Sequence, residues 1–150
     1  MVYMNEMMEL ILKGEENQEC DSQIDEILHE IIDKTKIIRN CIIYDKDGTL
    51  KEDKINLSKI IYFFGDWTGY EVSCNELIFE RQKILPNYFL ALANKLSYLL
   101  SQKYVGKKIV IYISLSDDEI ELRFHTYRED EGLWLDEDLN KYDKPILCWV

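Results

Sequence analysis

The sequence lacks the patterns that carry most enzyme chemistry. It contains no GxGxxG loop, no GxxxxGK[S/T] loop and no GxSxG motif, which commonly cradle phosphates or present an activated serine. Histidine is scarce as well. There are two histidines, and neither is placed near a cysteine or serine in an arrangement typical of catalysis. We therefore expect that the protein is not an enzyme and needs no cofactor.

Cysteine motifs are missing too. The four cysteines lie far apart, form no CxxC pair and no cluster with histidine, and sit mostly among apolar residues. This is the pattern of buried free thiols, and it predicts neither a metal site nor a disulfide. The four are Cys20, Cys41, Cys74 and Cys148.

Long apolar runs are absent. No stretch approaches the roughly 20 apolar residues that a membrane-spanning helix needs. The first residues also lack the basic start, apolar middle and small-residue cleavage site of a secretory signal. We therefore expect a cytoplasmic protein that does not bind membranes.

Positive charge is in short supply. The chain has 29 acidic and 18 basic residues and a formal net charge of −11. Because each phosphate contact requires a Lys or Arg, this balance argues against binding to nucleic acid or to an anionic membrane. Two interpretations remain open: the acids attract a basic protein partner, or they serve solubility alone.

The clearest structural pattern present is a β-hairpin between residues 108 and 128. Apolar residues alternate along 109–115 and again along 120–124, with a polar break at 116–119. The first arm is apolar on its second face as well, whereas the second arm carries Glu121, Arg123 and His125 there. The first arm is therefore predicted to be the more buried, central strand.

Several segments before this hairpin show helical periodicity. We predict helices at residues 21–39 and 86–103, a short amphipathic helix within 1–13, and a last strand or docked tail at 146–150. Alternating apolar residues also predict strands at 55–64 and 70–74. The chain length and a hydrophobic content of 47% fit one core. The expected fold is α+β, a single domain over 1–150, with a mainly antiparallel sheet and two to three helices packed on it.

One short motif points toward chemistry. The stretch CIIYDKDGTL, an apolar strand followed by DxDGT, resembles the first motif of the haloacid-dehalogenase-type phosphatases. That resemblance implies Asp45 as the phosphoryl-accepting nucleophile, Asp47 as the acid/base and a magnesium ion between them. The family also needs later groups on a parallel sheet, for which the sequence leaves no room. We therefore favour a plain hairpin, with Asp47-Gly48 as its turn and a short return through Leu50.

Acidic residues beside aromatic ones give the candidate binding residues. The segment 129–138 holds six carboxylates and no base, with Trp134 between its two clusters. Such a segment repels itself unless solvent or a cationic partner screens it, and the tryptophan is a typical interface anchor. We add the acids of the hairpin turn and the turn predicted at 66–71. The full predicted set is Asp66, Trp67, Tyr70, Glu71, Asp117, Asp118, Glu129, Asp130, Glu131, Trp134, Asp136, Glu137 and Asp138.

The build of the chain resembles a family of binding proteins. The stretch EGLWLDEDLNKYDKPIL with the preceding hairpin is similar to the immunity proteins that bacteria keep beside polymorphic or contact-dependent growth-inhibition toxins. The resemblance implies that the protein binds and neutralises a cognate toxin. Since many such toxins are basic nucleases, the acidic surface would mimic a phosphate backbone and occlude the active site. The alternative is an acidic interaction domain with another role.

Overall fold

The computed structural model describes residues 1–150 and contains twelve regular elements, together with short 3-10 turns. In chain order the elements are β1 (Val2–Met4), α1 (Glu6–Leu12), α2 (Ser22–Asp33), β2 (Thr35–Ile38), β3 (Cys41–Tyr44), α3 (Leu57–Phe64), α4 (Trp67–Cys74), β4 (Glu76–Glu80), α5 (Phe89–Lys103), β5 (Ile109–Leu115), β6 (Glu119–Thr126) and β7 (Ile146–Trp149).

The predicted α+β class is confirmed. Five strands form an antiparallel sheet in the order β1-β7-β5-β6-β4, and β2 and β3 form a separate two-stranded sheet. Strand β5 lies between β7 and β6, and all seven of its residues are buried. The hairpin is therefore the centre of the sheet, with its first arm more buried, as its two apolar faces predicted.

The main core lies on one face of this sheet. Helix α5 packs on β5, and α2 packs on α5. Leu92, Leu96 and Leu100 recur at helical spacing and are fully buried against the strand residues Ile109 and Ile111. The predicted helix at 86–103 is confirmed, with a 3-10 turn at 86–88 before α5 begins at Phe89. The last strand is confirmed as β7.

The predicted helix at 21–39 is too long. Helix α2 ends at Asp33, and the chain turns into strand β2, where β-branched residues predominate. Arg39 and Asn40 then adopt positive φ values of 51° and 68°, the backbone of a two-residue hairpin turn, and join β2 to β3. The tight turn at Gly48 exists, with φ 67°. However, β3 pairs with β2, so the predicted return strand through Leu50 is wrong.

Two predicted strands are helices. Residues 55–64 contain α3. Asn56 caps its start by accepting a hydrogen bond from the Lys59 N–H at 3.1 Å, and Gly65, with φ 78°, follows its last residue. Residues 70–74 lie in α4. Helix α4 folds tightly against the end of α3, since a Cβ on Gly69 would lie 2.7 Å from the Phe64 carbonyl oxygen. The N-terminal helix prediction is confirmed only for α1, since β1 precedes it.

Candidate functional site

The second face of the sheet is covered by the segment that follows β6. Residues 127–145 cross this face and return to β7. Their apolar side chains pack on Val110, Tyr112 and Cys148. The Tyr112 hydroxyl accepts hydrogen bonds from the Trp134 and Leu135 amides at 3.1 and 3.4 Å. The acidic residues thus lie on a segment that is tied to the sheet.

Asn5 fixes the far end of this segment. Its side chain is 1% exposed, and its Nδ2 donates to the carbonyls of Leu139 and Lys144 at 3.2 and 2.7 Å. Its Oδ1 accepts from the Met8 amide, which caps α1, and from the Ile146 amide. One buried amide therefore joins the start of α1 to the end of the crossing segment.

Trp134 stands between the two acidic clusters, as the sequence placed it. Its ring meets Tyr112 edge to face at 5.6 Å, and the Arg123 guanidinium lies 5.3 Å from the ring centroid. Arg123 is held in turn by Glu76 and Glu121 at 3.1 and 2.5 Å. The tryptophan remains 38% exposed, so it is oriented by the protein yet open to a partner.

The first acidic cluster divides into an outer and an inner part. Glu129 and Asp130 are exposed on a tight turn that Gly132 closes with φ 76°. Glu131 points inward and accepts hydrogen bonds from the amides of Trp67 and Thr68 at 3.2 and 2.8 Å and from the Thr68 hydroxyl.

The contacts of Glu131 explain its ionisation. Burial raises the pKa of this carboxyl, but the hydrogen bonds from Thr68 and Trp67 outweigh burial and hold the pKa below its usual value. A negative charge at the N-terminus of α4 also suits the helix dipole. Glu131 therefore has a structural role and does not offer its charge to a partner.

The second acidic cluster lies at the opposite edge of the sheet, beside β1. Asp136 pairs with Lys141 at 2.7 Å, and the hydrogen bond from Lys141 lowers the pKa of Asp136. Asp138 accepts a hydrogen bond from the Asn140 amide, whereas Glu137 is exposed. A cleft of about 130 Å³ opens here, with Asp136 and Glu137 beside an apolar lining of Tyr3, Tyr112, Leu133, Leu135, Leu139 and Cys148.

Other predicted site residues do not join this surface. Asp117 and Asp118 are exposed at the β5–β6 turn, at the opposite end of the hairpin from Glu129. A strand of this length separates the two ends by roughly 20 Å. Asp117 and Asp118 therefore do not share a surface with Glu129 and Asp130.

The predicted turn at 66–71 forms the start of α4. Asp66 caps the helix by accepting from the Gly69 amide at 2.7 Å, and Trp67 is half-buried. Tyr70 is buried, and Glu71 has no exposed surface at all. Glu71 and Tyr70 are therefore unavailable to a partner and leave the predicted binding set.

Glu71 is the centre of a buried polar network that sequence reasoning missed. Its Oε1 accepts hydrogen bonds from the Ile42 amide at 3.0 Å and from the Thr126 amide and hydroxyl at 3.0 and 2.9 Å. Its Oε2 lies 2.7 Å from Nη2 of Arg128. The carboxylate thereby connects β3 to the end of β6.

Asn75 continues the same network one helical turn later. It is fully buried, accepts from the Tyr44 amide at 2.7 Å and donates to the carbonyls of Ile42 and Phe124 at 2.7 and 3.1 Å. Glu71 and Asn75 are four residues apart and so share one face of α4. Together they bind β3 backbone groups that have no strand partner on that side. The four-residue spacing of Glu71 and Asn75, which places both on one side of a helix, was the only sequence signal for this role.

His125 is buried without a full set of partners. Its Nδ1 lies 2.8 Å from the Thr126 carbonyl, its Nε2 has no hydrogen-bond partner, and its ring stacks on Tyr112 at 5.8 Å. Burial lowers the pKa of His125 to about 4. The imidazole is therefore neutral at pH 7 and donates from Nδ1 to the carbonyl.

This burial predicts a loss of stability in mild acid. A histidine in the unfolded chain has a pKa near 6.5, so the unfolded state binds more protons between about pH 6.5 and pH 4. The contribution of neutral His125 is complete above pH 6.5 and is lost as the pH falls toward 4. The His125→Gln variant should reduce the drop in unfolding free energy between pH 7 and pH 4.5 by about 2 kcal/mol, measured by urea unfolding.

The exposed His29 supplies the control. If His29→Gln reduces the drop as much as His125→Gln does, burial of His125 is not the cause.

The DxDGT stretch lies in surroundings unlike those of the phosphatase family. Asp45 follows β3 of the small antiparallel sheet, pairs with Lys36, and accepts a hydrogen bond from the Leu50 amide at 3.1 Å. The hydrogen bond from Lys36 lowers the pKa of Asp45. Asp47 lies exposed in the following turn. No three His, Cys, Asp or Glu side chains of the chain converge on a point where a metal ion would fit. The two aspartates thus shape a turn here.

We accordingly expect no magnesium-dependent phosphatase activity. The groups that would position a phosphate and protonate a leaving group do not surround Asp45. An aryl phosphate incubated with the protein and magnesium should show no turnover above that of buffer. Turnover that disappears in the Asp45→Asn variant would establish the enzyme interpretation instead.

The fold and this surface define a small α+β protein whose second sheet face carries acidic clusters around a fixed tryptophan. The chain belongs to the Uncharacterized protein PM0498 family, whose model matches residues 3–149. Comparisons with curated proteins and with solved structures found no match. None of the helices combines the length and the apolar character that crossing a bilayer requires.

Proposed function

We propose that the protein is an immunity protein that binds a cognate bacterial toxin, a basic nuclease, and occludes its active site. The proposal rests on four acidic residues that are exposed and unpaired. Glu129, Asp130, Glu137 and Asp138 are exposed and have no ion-pair partner, on a segment that Asn5, Tyr112 and Glu131 hold in place. We call these four residues, which form two clusters on the crossing segment with Trp134 between them, together with Trp134 the acidic face.

Fixed acids suit such a partner better than mobile ones. The active site of a nuclease is basic because it must attract phosphate groups, and carboxylates held at set positions attract the same charges. Because the segment is already ordered, little conformational entropy is lost when a partner binds. The charges accelerate association, and Trp134 supplies the apolar contact that limits dissociation.

The test is a charge reversal with a matched control. The first variant changes Glu129, Asp130 and Glu137 to Lys. The control variant changes Glu15, Glu16 and Asp117 to Lys. All six residues are exposed and lie outside the ion pairs, so both variants change the net charge equally. The partner is the toxic domain that the proposal expects to be encoded beside this chain, used as an inactive variant.

The first variant should slow association by about 10-fold to 100-fold at low salt and flatten the salt dependence of the rate. The control variant should keep most of the wild-type rate, and both should retain the wild-type circular dichroism. Equal losses in the two variants would show that overall charge, and not the acidic face, governs association. An unchanged rate in the first variant would place the binding surface elsewhere.

A further inference from the structure

Helix α3 exposes an apolar surface that the acidic face does not use. The exposed residues are large: Tyr62 is 83% exposed and Phe63 70%, while Ile60 alone is buried. We call the surface formed by Leu57, Ile61, Tyr62, Phe63 and Phe64 the α3 face.

The position of α3 explains why this surface is open. The helix packs on α4, and Ile60 joins a small cluster with Ile38, Cys41, Ile43 and Tyr70. Its opposite side reaches neither the main sheet nor α5 and is left to solvent. Contiguous exposed aliphatic and aromatic side chains of this kind mark an interaction site in a soluble protein.

The two ends of the α3 face carry opposite charge. Before and within the first turn lie Lys51, Lys54 and Lys59, all exposed and outside the ion pairs of the structure. The same stretch holds Glu52, which pairs with Arg39, and the exposed Asp53, so three lysines stand against one unpaired acid. At the other end Gly65 separates Phe64 from Asp66, and the inward carboxylate of Glu131 brings the turn with Glu129 and Asp130 to the start of α4.

The helix itself does not balance these charges. Helix α3 has no acidic residue in its first turn and no basic residue in its last turn. Its dipole therefore increases the positive potential at the start of the helix and the negative potential at its end. The resulting surface has an apolar middle, a basic end and an acidic end. Such a surface is complementary to itself when a second copy is turned by 180°.

We propose that the α3 face is the interface of a two-fold symmetric dimer, with the α3 helices of the two copies packed antiparallel. In this arrangement each basic end meets the acidic end of the other copy, and the two helix dipoles oppose one another. Tyr62 and Phe63 of both copies lose their exposure to water in the centre. Glu129 and Asp130 then take part in the dimer, so dimer formation competes with a toxin for these two residues of the acidic face. Glu137 and Asp138, beside β1, stay open for a partner.

Sedimentation equilibrium of the full chain tests this arrangement. The wild type should form a dimer within roughly 1 to 100 µM, the range typical of weak specific contacts. A double variant, Tyr62→Ser with Phe63→Ser, should raise the dissociation constant by at least about tenfold, because each side chain contributes twice to a symmetric interface. The matched control is Tyr98→Ser, which removes a 59% exposed tyrosine from α5 and should leave the constant unchanged.

Charge reversal distinguishes a specific dimer from general stickiness. Lys54→Glu with Lys59→Glu should weaken the dimer, and adding Glu129→Lys with Asp130→Lys should restore it. A wild type that is monomeric at roughly 100 µM, an equal loss in Tyr98→Ser, or a failure of the restoring changes would overturn the proposal. A monomeric wild type that loses toxin affinity in the Tyr62 and Phe63 variant would assign the α3 face to the toxin instead. Unaltered thermal unfolding confirms that each variant is folded.

Discussion

Replacing Glu71 by leucine is expected to destabilise the protein by about 3 to 5 kcal/mol, the usual cost of removing one partner from a buried ion pair. The substitution leaves the amides of Ile42 and Thr126 without an acceptor in the interior. It also leaves the guanidinium of Arg128, which lies 2.7 Å from the Glu71 carboxylate, without its counter-charge. Each unsatisfied buried group adds a desolvation penalty.

The measurement is the free energy of unfolding from urea denaturation at pH 7. Glu26→Leu, at an exposed position of α2, controls for the change in charge and hydrophobicity and should alter stability by about 0.5 kcal/mol or less. A second variant that also replaces Arg128 by Met should recover part of the loss, since it removes the unpaired charge. A loss below about 1 kcal/mol for Glu71→Leu alone would mean that this network does not hold β3 against β6.

Truncation of the main core should have an effect of similar size. Leu96 on α5 and Ile111 on β5 are both fully buried in the same cluster. Replacing either one by Ala should lower the unfolding free energy by about 2 to 5 kcal/mol, through lost apolar burial and the cavity left behind. Leu10→Ala, at a residue 71% exposed on α1, is the control and should cost little. If both core variants lose less than about 1 kcal/mol, α5 does not pack on β5 through these residues.

The sequence predicted the parts of the fold whose periodicity is long and undisturbed. The hairpin of β5 and β6 alternates over many residues, and α5 repeats its leucines over four turns, so each has one consistent secondary structure. Helix α3 fails this condition because the run IIYFF is apolar at every position and fits a strand or a helix equally well. The capping residue Asn56 and the terminal Gly65 were the sequence signals that favour a helix over a strand.

The residues of the candidate site were likewise predicted only in part. The exposure of Glu129, Asp130, Glu137 and Asp138 follows from the sequence, because a run of carboxylates without bases is costly to bury. The sequence could not distinguish Glu131 and Glu71 from the exposed acids, since the groups that stabilise them are backbone amides and distant side chains. Glu131 binds residues more than sixty positions away, and only the folded structure brings such partners together.

We propose that this chain inhibits a toxin by direct contact. The most direct measurement titrates the purified chain into the active toxic domain that the proposal expects to be encoded beside it, with cleavage of nucleic acid as the readout. The proposal predicts that activity falls in proportion to the added chain and disappears at an equimolar ratio, with a stable complex on gel filtration. Full cleavage in the presence of excess chain, without any complex, would contradict the proposed function.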